Sequence, residues 1–364
     1  MNPKLTYIVE SKSKNQKTIK FSIILSLTVS IAIIFVILFF TIDADTIDQL
    51  VHTKIRYEFF IIAILLNILY WFLWGARIKI LSNAMDKNVN IGLIESTKIV
   101  LANMFLASIT PSMAGGEPVR IHLLNKDGMS LGGATAVVLG ERLIDAIFIL
   151  ILVPIAFFIF QGVKDLGFIG YGLIIGVFIF VIIIILFVYA IIRPEKIKSL
   201  LLFFNKKLSR FSKKKERKSK VTKRINKEVD NFHKSMMKFA GDNKKALAKA
   251  SIITILFWST GFMIPSMILM GLGLPPYFIE SYAAQVLLLV IIMMPTTPGS
   301  AGVAEAGIYG LYGVLIGTGE GSLIGVFLIL YRFITYYMNL FAGAFFQYRL
   351  FKSVASFSMD VLKK

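Results

Sequence analysis

Long uncharged runs of apolar residues alternate with short charged segments along this chain. About 20 consecutive apolar residues are enough for a helix to cross the hydrocarbon core of a bilayer. Several runs approach or exceed this length, which predicts an all-α, polytopic integral membrane protein with about six full transmembrane helices. They are expected at 21–40, 59–76, 132–160, 168–192, 250–272 and 322–347.

Two further apolar runs are too short to cross a bilayer, and a turn-forming motif follows each. Ile99–Ile109 precedes TPSMAGGEPVR (110–120), and Val286–Met294 precedes TPGSAGVAE (297–305). Both motifs begin Thr-Pro-x-x-Ala-Gly, and a glutamate follows soon after. Proline and glycine interrupt helices, and irregular backbone at membrane depth is tolerated only inside protein or along a wet cavity. Each motif therefore predicts the tip of a re-entrant helical hairpin.

The hairpins are expected at 92–131 and 280–316, one in each half of the membrane domain. The halves are 21–192 and 250–348. The placement of charges predicts that the first hairpin enters the membrane from the cytoplasm and the second from outside, which is the arrangement of an inverted repeat. Broken half-helices at corresponding places of two halves are typical of a transporter's binding site. Counting each hairpin as two crossings instead gives eight or more spans, and the sequence leaves this alternative open.

The charges predict the orientation in the cell membrane. Loop 193–249 contains 20 Lys or Arg and 5 Asp or Glu, which is +15 of the chain's formal net charge of +19. Loops rich in Lys and Arg mark the cytoplasmic side of a membrane protein. The pattern predicts a multi-pass protein with both termini cytoplasmic. Cytoplasmic segments are expected at 1–20, 77–90, 193–249 and 349–364, and external ones at 43–57 and 273–280.

The two tips and the charges near them form the candidate binding site. Half-helix N-termini and freed backbone amides suit an anion such as phosphate, and arginine adds bidentate contacts. The carboxylates have three candidate roles: pairing with the arginines, binding a cationic headgroup or transferring protons. The candidate substrate-binding residues are Thr110, Pro111, Gly115, Gly116, Glu117, Arg120, Glu141, Arg142, Asp145, Thr297, Pro298, Gly299, Gly302, Glu305 and Arg332.

A purely structural role remains open for several of these charges. Within GERLID (140–145), Glu141 and Asp145 lie four residues apart on one helix face, and Arg142 lies three residues before Asp145. Such residues can form an ion pair that only joins helices. Arg332 has the alternative of extending toward the outer interface. Ionisable residues inside a membrane are nevertheless costly and by default indicate function.

Composition excludes several other classes of site. The chain has no cysteine, which excludes disulfides, iron–sulfur clusters and thiol chemistry. Its three histidines are far apart and none lies in a ligand-spaced motif, so neither a metal nor another cofactor is expected. No nucleophile–base pair is visible, so the protein is not expected to be an enzyme. The basic excess lies in one loop, which argues for a membrane surface and against nucleic acid as the partner.

Three motifs resemble a known family. TPSMAGGEPVR, GERLID and PTTPGSAGVAEAG, in this order, are similar to the flippase-like membrane domain of lysylphosphatidylglycerol synthase/flippase proteins and to standalone proteins of that type. The similarity covers about residues 20 to 350. It implies movement of lipid between leaflets through a cavity walled by the two hairpins. The bifunctional members continue into a soluble aminoacyltransferase domain, and this chain ends at Lys364, so aminoacyl-lipid synthesis is not expected.

The sequence favours a lipid transporter or flippase whose partners are membrane lipids, an anionic or headgroup-modified phospholipid among them. Two alternatives remain. In an intramembrane enzyme acting on lipid-linked headgroups, Glu117 or Glu141 would be a general base and Arg120 a phosphate clamp. In a non-catalytic membrane scaffold, the basic loop would bind anionic lipid or a protein partner.

Overall fold

A computed structural model describes residues 44–52, 54–86, 89–108, 110, 115–160, 243–292, 300, 302–318 and 322–346, with scattered residues between 171 and 241. These residues form helices and connecting turns, with no β-strand in the part of the chain described, which confirms the all-α class. The predicted span at 21–40 and the tip residues 111–114 and 293–299 lie outside the described residues. So do most of the span at 168–192 and of the basic loop.

The continuous helices are numbered in chain order. They are α1 (Ala44–His52), α2 (Tyr57–Met85), α3 (Leu93–Ser108), α4 (Gly116–Lys126), α5 (Leu131–Ile159), α6 (Lys244–Gly271), α7 (Phe278–Ile292), α8 (Val303–Ile316) and α9 (Ile324–Phe346). One turn of α9, Phe333–Tyr337, is π-helical.

Four of these helices, α2, α5, α6 and α9, are long and apolar enough to cross a membrane. They correspond to four of the predicted spans, but two boundaries differ. The α2 helix continues nine residues past the predicted end at 76, and α6 begins at Lys244 inside the predicted loop 193–249. Pro265 and Pro154 are both accommodated inside continuous helices.

Large apolar side chains cover the outer surface of the long helices. Ile61, Leu65, Ile151 and Phe158 are each more than half exposed. In water, a contiguous apolar surface of this kind favours association or aggregation. In a bilayer the same side chains contact lipid tails, so the outward-facing residues support the membrane assignment that length and hydropathy predict.

Among the described residues, the series α2–α5 and α6–α9 share one order of helices: a long helix, a short helix, a tip, a short helix and a long helix. In the first half these are α2, α3, α4 and α5, and in the second they are α6, α7, α8 and α9. The short helices fold back on each other in pairs, α3 with α4 and α7 with α8. The hairpins expected from the two Thr-Pro motifs therefore have helical arms on both sides of each tip.

The leading helices of the two halves, α2 and α6, pack along their whole length in opposite directions. The backbone N–H of Arg56, just before α2, donates to the carbonyl of Gly271 at the end of α6. At the other end, the side-chain amide of Asn243 donates to the carbonyl of Ala84. Contacts at both ends fix the antiparallel direction, so the first helix of one half runs opposite to the first helix of the other.

The last helix, α9, packs against the first hairpin, which is formed by α3 and α4. A Cβ added to Gly343 would lie 2.6 Å from the carbonyl oxygen of Leu101, so only glycine permits this approach of α9 to α3. Within the π-helical turn, the hydroxyl of Tyr336 donates to the carbonyl oxygen of Ser108 at the end of α3 (3.1 Å). The second half thus contacts the first hairpin just before its tip.

Candidate functional site

Six charged side chains from three helices meet inside the protein, and we call them the first charge cluster. Residues three or four apart share a helix face, which places Glu117 beside Arg120 on α4 and Glu141 beside Asp145 on α5. The cluster contains three cations and three anions, so its formal charge is zero. Its members are Arg77 of α2, Glu117 and Arg120 of α4, and Glu141, Arg142 and Asp145 of α5.

Arg77 lies at the centre of the first charge cluster and is fully buried. Its Nε donates to Glu141 Oε1 (2.8 Å), and its two Nη atoms donate to the two carboxylate oxygens of Asp145. Nη1 also donates to the hydroxyl of Thr254 on α6 (3.1 Å). The guanidinium therefore connects α2, α5 and α6, and it leaves none of its three nitrogens without an acceptor.

Arg120 is also fully buried, but its hydrogen bonds are incomplete. Nη1 donates to Glu141 Oε2 at 2.6 Å. Its Nε and Nη2 have no acceptor among the described residues. The guanidinium carbon lies 5.3 Å from the ring centre of Trp74, which provides a cation–π contact. Unpaired buried donors are energetically costly. The unpaired N–H groups of this guanidinium are therefore available to bind an anion.

The rim of the first charge cluster is more accessible than its centre. Arg142 donates to Glu117 through Nε (3.0 Å), and both side chains are about one-third exposed. Arg142 Nη1 also lies 3.6 Å from Asp145 Oδ2. Asp145 accepts a further hydrogen bond from the indole of Trp258 (3.0 Å). Solvent exposure thus increases from the fully buried Arg77 at the centre of the cluster to the partly exposed Glu117 at its rim.

A second charge pair, Glu305 of α8 and Arg332 of α9, lies in the other half. Glu305 is the third residue of α8, and its Oε2 accepts from the backbone N–H of Gly302 (2.6 Å), which caps the helix start. Its Oε1 lies 2.8 Å from Arg332 Nε in an ion pair without hydrogen-bond geometry. Arg332 Nη2 also has no acceptor among the described residues. Both side chains are buried.

The predicted site residues thus separate into two groups. Glu305 pairs with Arg332, and no described ion pair links it to Arg120 or Arg142. Arg332 is buried, in contrast to its alternative of extending toward an interface. Four predicted tip residues lie outside the described part of the chain. These are Pro111, Thr297, Pro298 and Gly299.

The described tip residues show why the first motif has its particular composition. The Thr110 hydroxyl donates to the carbonyl of Leu106 and accepts from the N–H of Gly115 (2.9 Å), so it joins the two arms. A Cβ added to Gly116 would lie 2.3 Å from Oδ1 of Asn103, so glycine permits the close contact of α3 and α4. The α4 helix begins at Gly116, which places Glu117 and Arg120 on the helix and not in the irregular tip where the motif suggested.

Sequence reasoning missed Arg77, which it placed in a cytoplasmic loop at 77–90. The burial of this residue corrects that assignment: Arg77 lies inside α2, where distant acceptors compensate its charge. One sequence signal was available. Ile78, Leu81 and Met85 continue an apolar face beyond Arg77 at helical spacing, and all three are buried.

In the described part of the chain, no three His, Cys, Asp or Glu side chains are grouped so that they could hold a metal ion.

Residues 23–343 match the family described as the lysylphosphatidylglycerol synthase TM region. A UPF0104 membrane protein of Archaeoglobus fulgidus is 34% identical over 334 residues, which are 90% of this chain and 97% of that protein. A second UPF0104 membrane protein, from Methanocaldococcus jannaschii, is 26% identical over 266 residues, which are 71% of this chain and 75% of that protein.

Proposed function

Because this chain belongs to the family of the lysylphosphatidylglycerol synthase TM region, and is therefore a multi-pass membrane protein, we propose that it transports lipid between leaflets. The transported molecule is a phospholipid or a lipid with a modified headgroup. It moves through a path bordered by the two helical hairpins. The proposal rests on two grounds: membership of this family, and the buried charges that lie beside a hairpin tip in each half.

The observation that supports transport most strongly is a pair of buried, incompletely bonded arginines. Arg120 and Arg332 each pair with one carboxylate and retain guanidinium N–H groups without an acceptor among the described residues. Arg120 lies four residues after the start of α4, and Arg332 contacts the third residue of α8. A lipid phosphate would satisfy these donors and the helix N-termini together. A cationic headgroup would face the glutamates.

The packing of the halves supports an inverted repeat. The same order of helices occurs twice, and the leading helices α2 and α6 are antiparallel. Transporters with inverted repeats place their substrate at the interface of the repeats, where discontinuous helices meet. In our proposal, α3–α4 and α7–α8 are the two re-entrant hairpins, and lipid passes between them.

We expect Arg120→Lys and Arg332→Lys to slow lipid movement in proteoliposomes. Lysine keeps the positive charge and can still pair with the carboxylate, but it lacks the planar arrangement of N–H donors that a guanidinium has. The loss of one charge-assisted hydrogen bond to phosphate, about 1.5–3 kcal/mol, corresponds to about tenfold or more in rate. The assay follows a fluorescent phospholipid that becomes protected from, or accessible to, a reductant that does not cross the membrane.

The matched control is Arg56→Lys, because Arg56 also pairs with a glutamate, Glu58, but is exposed. This variant should move lipid at the wild-type rate. Thermal melting of all three proteins must accompany the assay. If both buried variants fold and move lipid as fast as the control, the arginines are structural and the proposed path is wrong.

We also propose that both termini and the loop 193–249 lie in the cytoplasm of the cell, with Lys54 outside. The motivation is the strong basic excess of that loop against the acidic segment that precedes Lys54. Because the chain has no cysteine, single cysteines provide a clean test. A maleimide that cannot cross the membrane should label Lys54→Cys in intact cells and Ser212→Cys only after lysis. Labelling of Ser212→Cys in intact cells would reverse the topology.

A further inference from the structure

A cavity of about 130 Å³ lies between the first charge cluster and the second charge pair, and no charged residue is among those that line it. It is lined by side chains of α2, α6, α7 and α9, among them Thr335 of the π-helical turn. Trp258 on its wall donates to Asp145 of the first charge cluster, and Tyr331 on another wall precedes Arg332 of the second charge pair. π-Helical turns are frequent at functional sites.

The walls of this cavity are held by hydrogen bonds between uncharged side chains. Asn67 donates to the carbonyl of Ile334 in the π-helical turn (2.8 Å) and to Oδ1 of Asn339 (3.1 Å). Tyr331 donates to Gln285 Oε1 (2.8 Å). These bonds fix the direction of each amide, so the lining groups are arranged before any ligand arrives.

Several polar groups of the lining remain unused. The Tyr70 hydroxyl and Asn67 Oδ1 form no hydrogen bond with any described residue, and the amides of Gln285 and Asn339 each retain one N–H. This set contains both donors and acceptors and has no charge. Tyr70 and Trp258 also contribute aromatic rings to the lining.

We propose that this cavity binds a small polyol, or one hydroxyl-bearing edge of a sugar. Hydroxyl groups both donate and accept hydrogen bonds, as the unused groups require. The C–H face of a polyol packs against aromatic rings, and an ion would find no counter-charge in the lining. The volume equals that of about four water molecules, which suits a three-carbon polyol. The polyol is either free or part of a lipid headgroup.

The test uses the protein in nanodiscs of phosphatidylcholine, which has no headgroup hydroxyl, and avoids sugar-headed detergents. All three tryptophans report on the cavity. Trp258 lines it, Trp71 donates to Asn339 (2.7 Å), and Trp74 lies edge-on to Tyr70. Glycerol is titrated in one arm, and glucosyl diacylglycerol replaces part of the phosphatidylcholine in the other. A saturable change of tryptophan fluorescence is expected in at least one arm, and the arm identifies the source of the polyol.

Tyr70→Phe removes only a hydroxyl that no described residue binds, so folding should be unaffected. We expect it to weaken the saturable signal about threefold to tenfold. Tyr282→Phe is the matched control: its hydroxyl bonds Ser259 away from the cavity (3.0 Å), and binding should stay at the wild-type value. If neither probe gives a saturable signal, or if Tyr70→Phe binds like the control, the cavity holds only water and the inference is wrong. This result does not depend on lipid transport, which is assayed separately.

Discussion

Replacing Glu141 by glutamine should destabilise the protein by about 3–5 kcal/mol, since the change leaves the buried Arg120 without its described ion-pair partner. Glu141 is fully buried and accepts from Arg77 through one oxygen and from Arg120 through the other. A glutamine has nearly the same shape, but its amide group would direct N–H donors at one of the two guanidinium groups. The expected loss is measured by equilibrium unfolding in mixed micelles.

Glu117→Gln is the control for this change within the same cluster. Glu117 also pairs with an arginine, Arg142, but both side chains are about one-third exposed, so water screens their interaction. Exposed ion pairs contribute at most about 1 kcal/mol, and a loss below this value is expected. Equal losses for Glu117→Gln and Glu141→Gln would show that the centre of the cluster is not sealed from water.

A double variant separates the effect of losing the charge of Glu141 from the effect of changing the shape of its side chain. In Glu141→Gln, Arg77 keeps both oxygens of Asp145, whereas Arg120 loses its only described ion-pair partner. Adding Arg120→Gln removes the stranded cation and should restore about 1–3 kcal/mol, since neighbouring charges couple by that amount. If the double variant is as unstable as the sum of the two single variants, Arg120 does not depend on Glu141.

The long apolar helices could be predicted from sequence because their signal is local. Helix α5 was expected at 132–160 and extends from Leu131 to Ile159, since apolar residues flank its charged segment GERLID on both sides. The α2 helix was expected to stop at 76 because Arg77 and Lys79 suggest a loop. The acceptors that keep Arg77 in the helix lie 64 and 68 residues away, and no local pattern indicates them.

The candidate site was predicted as a set of residues, and spacing indicated only the pair of Arg142 with Asp145 within α5. The four-residue spacing correctly predicted that Glu141 and Asp145 share one helix face. A glutamate three residues after Gly302 is also a sequence signal for the start of a helix. Which carboxylate meets which arginine depends on how the helices within each half pack. Glu305 therefore pairs with Arg332 across α8 and α9, an arrangement that the sequence alone did not indicate.

Glu305→Gln should abolish lipid movement while the start of α8 persists. The amide oxygen of glutamine can still accept from the N–H of Gly302, so the cap that Glu305 provides is kept. The charge opposite Arg332 is lost, however, and a buried cation remains beside the helix start. In the proposed path, this carboxylate holds Arg332 in place and faces a cationic headgroup. Lipid movement in proteoliposomes and thermal melting are measured on the same preparation.

The double variant Glu305→Gln, Arg332→Gln decides between a transport role and a structural ion pair. Replacing both members of a buried pair by neutral groups of similar shape is often neutral or stabilising, whereas removing one is costly. The double variant should therefore melt nearer to the wild type than Glu305→Gln does. If the pair binds lipid, transport stays absent although stability has returned, because the guanidinium that receives the phosphate is missing. If lipid movement recovers together with stability, the pair serves only to hold α8 against α9, and the transport path lies elsewhere.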